Sequence, residues 1–184
     1  MSGDTSRAAE VLAHALAHDA TLGTGRLVCL DGPAGSGKTT LASEIAAAAS
    51  APVVHLDDLY PGWDGLLEVD PAVLGLLRPL ADGRPGRYRR WDWYAGEYRE
   101  TRQVDPAPWL VLEGVGAGNR AWADLVTTLV WVEAPAETRR TRALARDGDG
   151  LLEHWAAWTR DERRLFREQD TRARADLVVD TGDV

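Results

Sequence analysis

The chain of 184 residues is poor in lysine, cysteine, methionine and phenylalanine, with one of each, whereas arginine occurs twenty times. The single cysteine, Cys29, excludes a framework of disulfide bonds within the chain and, inside a short apolar run, is typical of a core residue. No apolar run approaches the roughly 20 residues that cross a bilayer, and the N-terminal residues do not resemble a signal peptide. These absences predict a cytoplasmic protein without a membrane partner.

The chain also lacks an excess of positive charge. Its net charge of −8 argues against a broad nucleic-acid surface and predicts no nucleic-acid partner, although arginines cluster locally. The length fits one domain, residues 1–184, that buries an ordinary core. A homo-oligomer is compatible with this composition, which does not determine the oligomeric state.

The one lysine lies in a glycine-rich motif. The segment from Gly32 to Thr39 reads GPAGSGKT and matches G-x-x-x-x-G-K-[ST], the phosphate-binding P-loop. An apolar run precedes it and an alanine-rich stretch follows, which gives the strand, loop and helix that this motif requires. Because arginine has replaced lysine elsewhere, Lys38 indicates a site that needs a compact ammonium group.

This loop, residues 32–40, is predicted to bind ATP with Mg²⁺. Its glycines allow backbone N–H groups to surround phosphate, Lys38 is expected to reach the β- and γ-phosphates, and the Thr39 hydroxyl is expected to ligate Mg²⁺. The predicted nucleotide-binding residues in the loop are Gly32, Ala34, Gly35, Ser36, Gly37, Lys38, Thr39 and Thr40.

Apolar runs and helical stretches alternate along the rest of the chain. The runs lie at 26–31, 52–56, 109–112, 128–132 and 175–180. Helical stretches are predicted at 6–20, 71–81, 119–125, 135–147 and 150–169. This alternation predicts an α/β fold of three layers, with a five-stranded parallel sheet between helices.

Acidic residues follow two of the predicted strands. In parallel sheets ligands bind beyond the carboxyl ends of the strands, so Asp57, Asp58 and Glu113 are candidate site residues. Asp57 is favoured as the base that takes a proton from an acceptor hydroxyl, with Asp58 as its rival and plain solvation of a strand end as the alternative. Glu113 interrupts an apolar run, which predicts a Mg²⁺ ligand beside Thr39; an N-cap or a salt bridge stays open.

Three arginines share one predicted helix face. Arg139, Arg142 and Arg146 are spaced i, i+3 and i+7, and a triphosphate would supply the anions that such a face attracts. Arg142 is the candidate for a catalytic role, Arg139 and Arg146 for ATP binding, and a solvated basic face is the alternative. The glycines around Asp149 predict a hinge, and 139–155 a small lid.

Segment 60–99 is the predicted acceptor-binding insert. It interleaves aromatic residues with arginines, a pattern that also occurs in single-strand nucleic-acid binding and in ordinary cores. The candidate acceptor-binding residues are Asp58, Tyr60, Asp64, Trp91 and Trp93.

With these motifs in place, the chain resembles P-loop kinases of the uridine kinase and pantothenate kinase group over residues 26–182. The matching pieces, in family order, are Gly32–Thr40, Asp57-Asp58-Leu59-Tyr60, Trp91-Asp92-Trp93, Val111-Leu112-Glu113-Gly114 and the arginine-rich stretch 138–147. The resemblance implies an ATP-dependent kinase fold, with Asp57 as the base that also contacts Mg²⁺ through water.

The resemblance is incomplete at the acceptor-binding segment. The family usually has Tyr-Asp-Phe and then a histidine that reads a pyrimidine, but no histidine follows Trp93 closely here. We therefore expect a kinase for a small hydroxylated acceptor: nucleosides first, then nucleotides, vitamins and natural-product alcohols. A nucleotide hydrolase and a non-catalytic ATP-binding regulator are the competing classes.

Overall fold

The computed structural model describes residues 6–148 and 150–182. Its strands are β1 (Arg26–Asp31), β2 (Val53–His55), β3 (Gly86–Asp92), β4 (Glu97–Val104), β5 (Trp109–Glu113), β6 (Thr128–Glu133) and β7 (Leu177–Asp180). The helices are α1 (Arg7–Leu16), α2 (Lys38–Ala49), α3 (Asp70–Ala81), α4 (Ala136–Asp147), α5 (Gly150–Gln169) and α6 (Thr171–Arg174). Short 3-10 helices lie at Leu56–Asp58, Gly65–Glu68 and Arg120–Leu125.

The main sheet has the strand order β2-β5-β1-β6-β7, and all four neighbouring pairs are parallel. Alternate side chains of β1 enter two separate cores, since successive residues of a strand point to opposite faces. Leu27 and Cys29 pack on the side of α3 and α5, whereas Val28 and Leu30 pack on the side of α1 and α2. The predicted three-layer α/β fold with a five-stranded parallel sheet is confirmed.

Two predicted helices differ from the structure. α1 ends at Leu16 because side chains bind its last carbonyl groups: His18 Nδ1 lies 2.8 Å from the carbonyl oxygen of His14, and Arg26 Nε donates to that of Ala15 at 2.9 Å. The stretch 119–125 forms a 3-10 helix in which Trp122 leaves helical geometry. Its indole is fully buried and donates to the Ala117 carbonyl.

Strands β3 and β4 form an antiparallel hairpin beside the main sheet, which the sequence reading did not predict within 60–99. Asp92 closes its turn by accepting hydrogen bonds from the N–H groups of Tyr94 and Ala95, each at 3.0 Å. The alternation of Gly86 and Tyr88 with Arg87 and Arg89 is the sequence signal that indicates a strand here. In the structure the first two are buried and the two arginines are exposed.

None of the helices within residues 6–148 and 150–182 has the length and apolar character needed to cross a membrane.

Candidate active site

The phosphate loop, residues 32–39, runs from the end of β1 to the start of α2. Its glycines are required by its backbone, since Gly32 and Gly35 have φ angles of +143° and +77°. A Cβ atom on Gly32 would collide with the Val132 carbonyl oxygen, and one on Gly35 with the Arg139 carbonyl oxygen. The loop therefore lies directly against β6 and α4, and any other residue at these two positions would displace it.

Lys38 begins α2 and is almost completely buried, with 7% of its surface exposed. Its Nζ donates to the carbonyl oxygens of Gly32 and Pro33 at 2.8 and 2.9 Å, so the ammonium group lies inside the curve of the loop. Burial lowers the pKa of Lys38, and the carboxylates of Glu113 and Asp31 oppose that shift. The ammonium group thus contacts two carbonyl oxygens, and nearby carboxylate charges stabilise its protonated form.

The rest of the loop suits a polyphosphate. The Ser36 hydroxyl is buried and has no hydrogen-bond partner anywhere in 6–148 and 150–182, as expected of a donor that serves a ligand. Thr39 and Thr40 are exposed in the first turn of α2, whose N-terminus carries partial positive charge. The eight predicted nucleotide-binding residues form the loop between β1 and α2 and the first turn of α2.

Asp31, at the end of β1, was not predicted as a site residue. Its buried carboxylate accepts hydrogen bonds from the N–H groups of Gly32 at 2.7 Å, Gly116 at 2.7 Å and Gly118 at 2.9 Å. Burial raises the pKa of Asp31, and these three N–H groups oppose the shift. The side chain ties the start of the phosphate loop to the loop that follows Glu113.

Glu113 ends β5 with only 4% of its surface exposed. Its Oε1 accepts a hydrogen bond from the Thr39 hydroxyl at 3.2 Å and lies 2.6 Å from His55 Nδ1. The hydrogen bond to Glu113 raises the pKa of His55. His55 comes from the adjacent strand β2, and pairing with Glu113 in register brings the two side chains together.

The Thr39 and Glu113 oxygens fit Mg²⁺, which prefers oxygen ligands and usually keeps several waters. Across the described ranges, no group of three or more histidine, cysteine or carboxylate side chains is arranged to hold a metal ion. A site built on one hydroxyl and one buried carboxylate would therefore need nucleotide phosphates and water to complete it. That is the usual pattern for Mg²⁺ in nucleotide sites.

The two neighbouring aspartates after β2 have different surroundings. Asp58 Oδ2 accepts a hydrogen bond from Arg102 Nη1 at 3.0 Å, which ties it to the β3–β4 hairpin. Within the described ranges, the Asp57 carboxylate has no hydrogen bond or ion pair. Asp57 is exposed to solvent, yet desolvation by the surrounding protein raises its pKa, as does the charge of Glu113. Arg146 and Lys38 oppose that shift.

The three candidate arginines of α4 have different partners. Arg139 donates to the carbonyl oxygen of Ala34, whereas Arg142 donates to the hydroxyl and carbonyl oxygens of Thr181, near the C-terminus. Arg146 pairs with Asp147, and its charge acts on Asp57. Arg146 is therefore an additional candidate to act on the proposed base, and the catalytic role predicted for Arg142 stays a prediction.

An aromatic wall of Trp63, Trp93, His154 and Trp158 lies beside Asp57. The Trp63 ring is stacked on His154, with centroids 4.8 Å apart and planes 9° from parallel, and meets Trp93 and Trp158 edge to face. The indole N–H of Trp93 donates to the Asp57 carbonyl oxygen at 2.8 Å. Trp63 lies in the predicted acceptor-binding segment 60–99 but was not among its named candidates. His154 and Trp158 were missed, because α5 brings them from almost a hundred residues away.

The other predicted acceptor residues occupy three kinds of position. Tyr60 is fully buried and donates to the Val115 carbonyl oxygen at 2.6 Å, so its assignment to acceptor binding is wrong: it is a core residue behind the aromatic wall. Trp91 packs on Tyr98 in the hairpin, and Asp64 is exposed at the start of the Gly65–Glu68 turn. The predicted hinge at Gly148-Asp149-Gly150 includes Asp149, which lies outside the described residues.

No protein-family model and no curated protein sequence matches the chain, but solved structures do. A candidate fructose transport system kinase from Silicibacter sp. TM1040 has a TM-score of 0.65 and 25% identity over 94% of this chain and 98% of that one. A possible uridine kinase from Bacillus stearothermophilus has a TM-score of 0.60 and 19% identity over 85% and 89%. An uncharacterized protein from Eubacterium ventriosum reaches 0.51 at 13% identity, over 87% and 90%.

These structures share the fold of the chain. The resemblance to P-loop kinases of the uridine kinase group, predicted from the motifs, is confirmed at the level of the fold.

Proposed function

We propose that the protein is an ATP-dependent phosphotransferase that moves the γ-phosphoryl group of ATP to a hydroxyl group of a small molecule. The observation that carries this proposal is the pair of neighbouring aspartates after β2. Asp58 is held by Arg102, whereas Asp57 is accessible and close enough to Lys38 for their charges to interact. A base near the phosphate loop is what a kinase needs and a simple nucleotide-binding protein does not.

The chemistry assigns a step to each of these side chains. Lys38 and the N–H groups of the loop bind the polyphosphate and stabilise its charge. Asp57 accepts the proton of the acceptor hydroxyl while the hydroxyl oxygen bonds to the γ-phosphorus. The bond from that phosphorus to the bridging oxygen breaks, and its electron pair leaves with ADP. Thr39 and Glu113 would hold Mg²⁺, which would neutralise phosphate charge.

The aromatic wall supports an acceptor with a flat or apolar face. Trp93, which is 40% exposed, offers its ring surface beside the candidate base. Indole rings bind planar heterocycles, and they also pack against the C–H faces of sugars. Nucleosides are therefore the first acceptors to test, and sugars the second, since one similar structure is named as a fructose transport system kinase.

The test measures ADP release from Mg-ATP with and without a panel of nucleosides, sugars and other alcohols. ADP release that depends on an acceptor is expected. Release that is independent of every acceptor would instead identify a hydrolase, and tight ATP binding without turnover would identify a regulator.

A matched pair of variants tests the base. Asp57→Asn is expected to lower transfer by about a hundredfold or more while ATP binding persists, because the amide cannot accept the proton. Asp58→Asn is expected to have a much smaller effect, since its partner is Arg102. If Asp57→Asn kept full activity and Asp58→Asn lost it, the assignment of the base would be wrong.

A further inference from the structure

Glu162 is a buried carboxylate in the middle of α5. Only 2% of its surface is exposed, although α5 is otherwise rich in exposed arginine and glutamate. Burying an ionisable group costs free energy unless polar partners replace the water it loses. Burial raises the pKa of Glu162, and the N–H group of Ala34 is the first of the groups that oppose this shift. The buried carboxylate of Glu162 therefore needs polar partners in its surroundings.

Its partners belong to the phosphate loop and the lid. Oε2 of Glu162 accepts a hydrogen bond from the Ala34 N–H group at 3.0 Å, and Oε1 lies 3.5 Å from Nη1 of Arg139. The same Nη1 donates to the Ala34 carbonyl oxygen at 3.2 Å. Side chains of two helices, α4 and α5, thus bind the N–H and the carbonyl group of one loop residue.

Arg139 is also held by contacts outside Glu162 and Ala34. Its Nε donates to the carbonyl oxygen of Ala134 at 3.2 Å, and its own backbone is in close contact with Gly35. The guanidinium group is therefore part of a closed set of contacts around Ala34. In this arrangement its positive charge faces Glu162 and its Nη1 holds the Ala34 carbonyl oxygen.

We infer that Glu162 and Arg139 are a positioning pair that holds the Ala34 residue and thereby the shape of the phosphate loop. This inference rests on the proposed function in one respect, namely that the loop binds Mg-ATP. It assigns no chemical step to either side chain. Its consequence is that α5, which carries His154 and Trp158 of the aromatic wall, also reaches the nucleotide end of the site.

The experiment measures Mg-ATP binding by calorimetry and the KM values for ATP and acceptor. Glu162→Ala is expected to weaken ATP binding about tenfold, because it removes a charged hydrogen-bond partner of the loop. Glu162→Gln is expected to weaken it only about two- to threefold, because an amide oxygen still accepts from Ala34. The KM for the acceptor is expected to change little in Glu162→Gln.

A double-mutant cycle with Arg139→Ala shows whether Glu162 and Arg139 act together or independently on ATP binding. The double variant is expected to bind ATP about as weakly as Glu162→Ala alone, since the two side chains act on one peptide. Glu168→Ala is the matched control on the same helix, because Glu168 is exposed and pairs with Arg164. It is expected to leave ATP binding unchanged.

Three results would overturn the inference. Unchanged ATP binding in both Glu162 variants would show that the pair has no influence on the loop. Tighter binding in both would show that Glu162 competes with phosphate. Additive losses in the cycle would show two unconnected residues. Failure of the wild-type protein to bind Mg-ATP would instead refute the proposed function itself. Should Glu162→Ala not fold, the comparison of Glu162→Gln with wild type decides the question.

Discussion

At its nucleotide end the candidate site consists of consecutive residues, 32–40, whereas its acceptor end is assembled from separate segments. Trp63 follows β2, Trp93 lies in the turn of the hairpin, and His154 and Trp158 come from α5. The first end is built on the continuous backbone of a strand, a loop and a helix, which Asp31, Arg139 and Glu162 support with hydrogen bonds. The second is fixed by contacts between side chains that are distant in sequence.

The two ends also differ in burial. Lys38, Ser36 and Asp31 are buried at the nucleotide end. At the acceptor end Trp158 is buried, but Trp93 is 40% exposed and lies in a hairpin whose strand β4 is mostly exposed. Segments with few buried contacts open more readily than the core of a sheet. We therefore expect substitutions at the nucleotide end to abolish activity or reduce stability strongly. Substitutions at the acceptor end are expected to weaken acceptor binding without abolishing activity.

The largest effect is expected for Lys38→Arg. A planar guanidinium is too large for the space inside the loop and cannot reproduce the two hydrogen bonds of Nζ. Loss of a preorganised donor in an enclosed site predicts a fall in phosphoryl transfer of about a thousandfold. Turnover of ATP with a saturating acceptor measures it, and transfer near the wild-type rate would remove Lys38 from the mechanism.

Asp31→Ala tests whether the nucleotide end depends on its buried carboxylate. Three buried N–H groups lose their acceptor, and each costs about 1–3 kcal/mol, so we expect unfolding free energy to fall by about 3 kcal/mol or more. Urea denaturation measures the loss. Asp180→Ala is the control, because Asp180 is exposed and its carboxylate accepts a hydrogen bond from the exposed N–H group of Gly182. Equal losses in the two variants would contradict the role of Asp31.

Trp63→Ala tests the acceptor end. It removes the ring that contacts His154, Trp93 and Trp158, and we expect the KM for the acceptor to rise about tenfold while ATP affinity stays close to wild type. Trp63→Phe should recover part of this loss. Trp109→Phe, at the start of β5, is the matched control and should change neither constant. A change in ATP affinity alone would place Trp63 at the other end of the site.

The smallest effect is expected for Arg102→Ala. Its ion pair with Asp58 is partly exposed, and such pairs contribute less than about 1 kcal/mol to overall stability. Amide hydrogen exchange should nevertheless accelerate in β4 while β1 stays protected, because the hairpin loses one of its ties to the segment after β2. Equal acceleration in β1 and β4 would show that the two regions unfold together.

The main sheet and the long helices were predicted well from the sequence. Each strand of the main sheet is a short apolar run, and each long helix has a sequence typical of a helix. The phosphate loop was predicted from its motif, and Glu113 from its position at the end of an apolar run. The hairpin was missed because its strands contain no apolar run, and the short alternation at 86–89 was not interpreted as a strand. Tyr60 was misassigned, since a tyrosine next to an acidic pair gives no indication of whether its ring points into the core.

Side chains distant in sequence are the ones that only the structure brings together. Glu162 contacts Ala34 across more than a hundred residues of chain, and His154 contacts Trp63 across almost a hundred. No local pattern marks either contact, because helical periodicity says which residues share a face and not what that face meets.

The sequence by itself determined a parallel sheet with a phosphate loop at the end of its first strand, since both depend on neighbouring residues and on backbone geometry. The packing of α4, α5 and the hairpin decided which aspartate stays accessible, which arginine acts on it, and which rings border the acceptor. These choices depend on how whole elements fit against each other, and that is settled only by the folded chain.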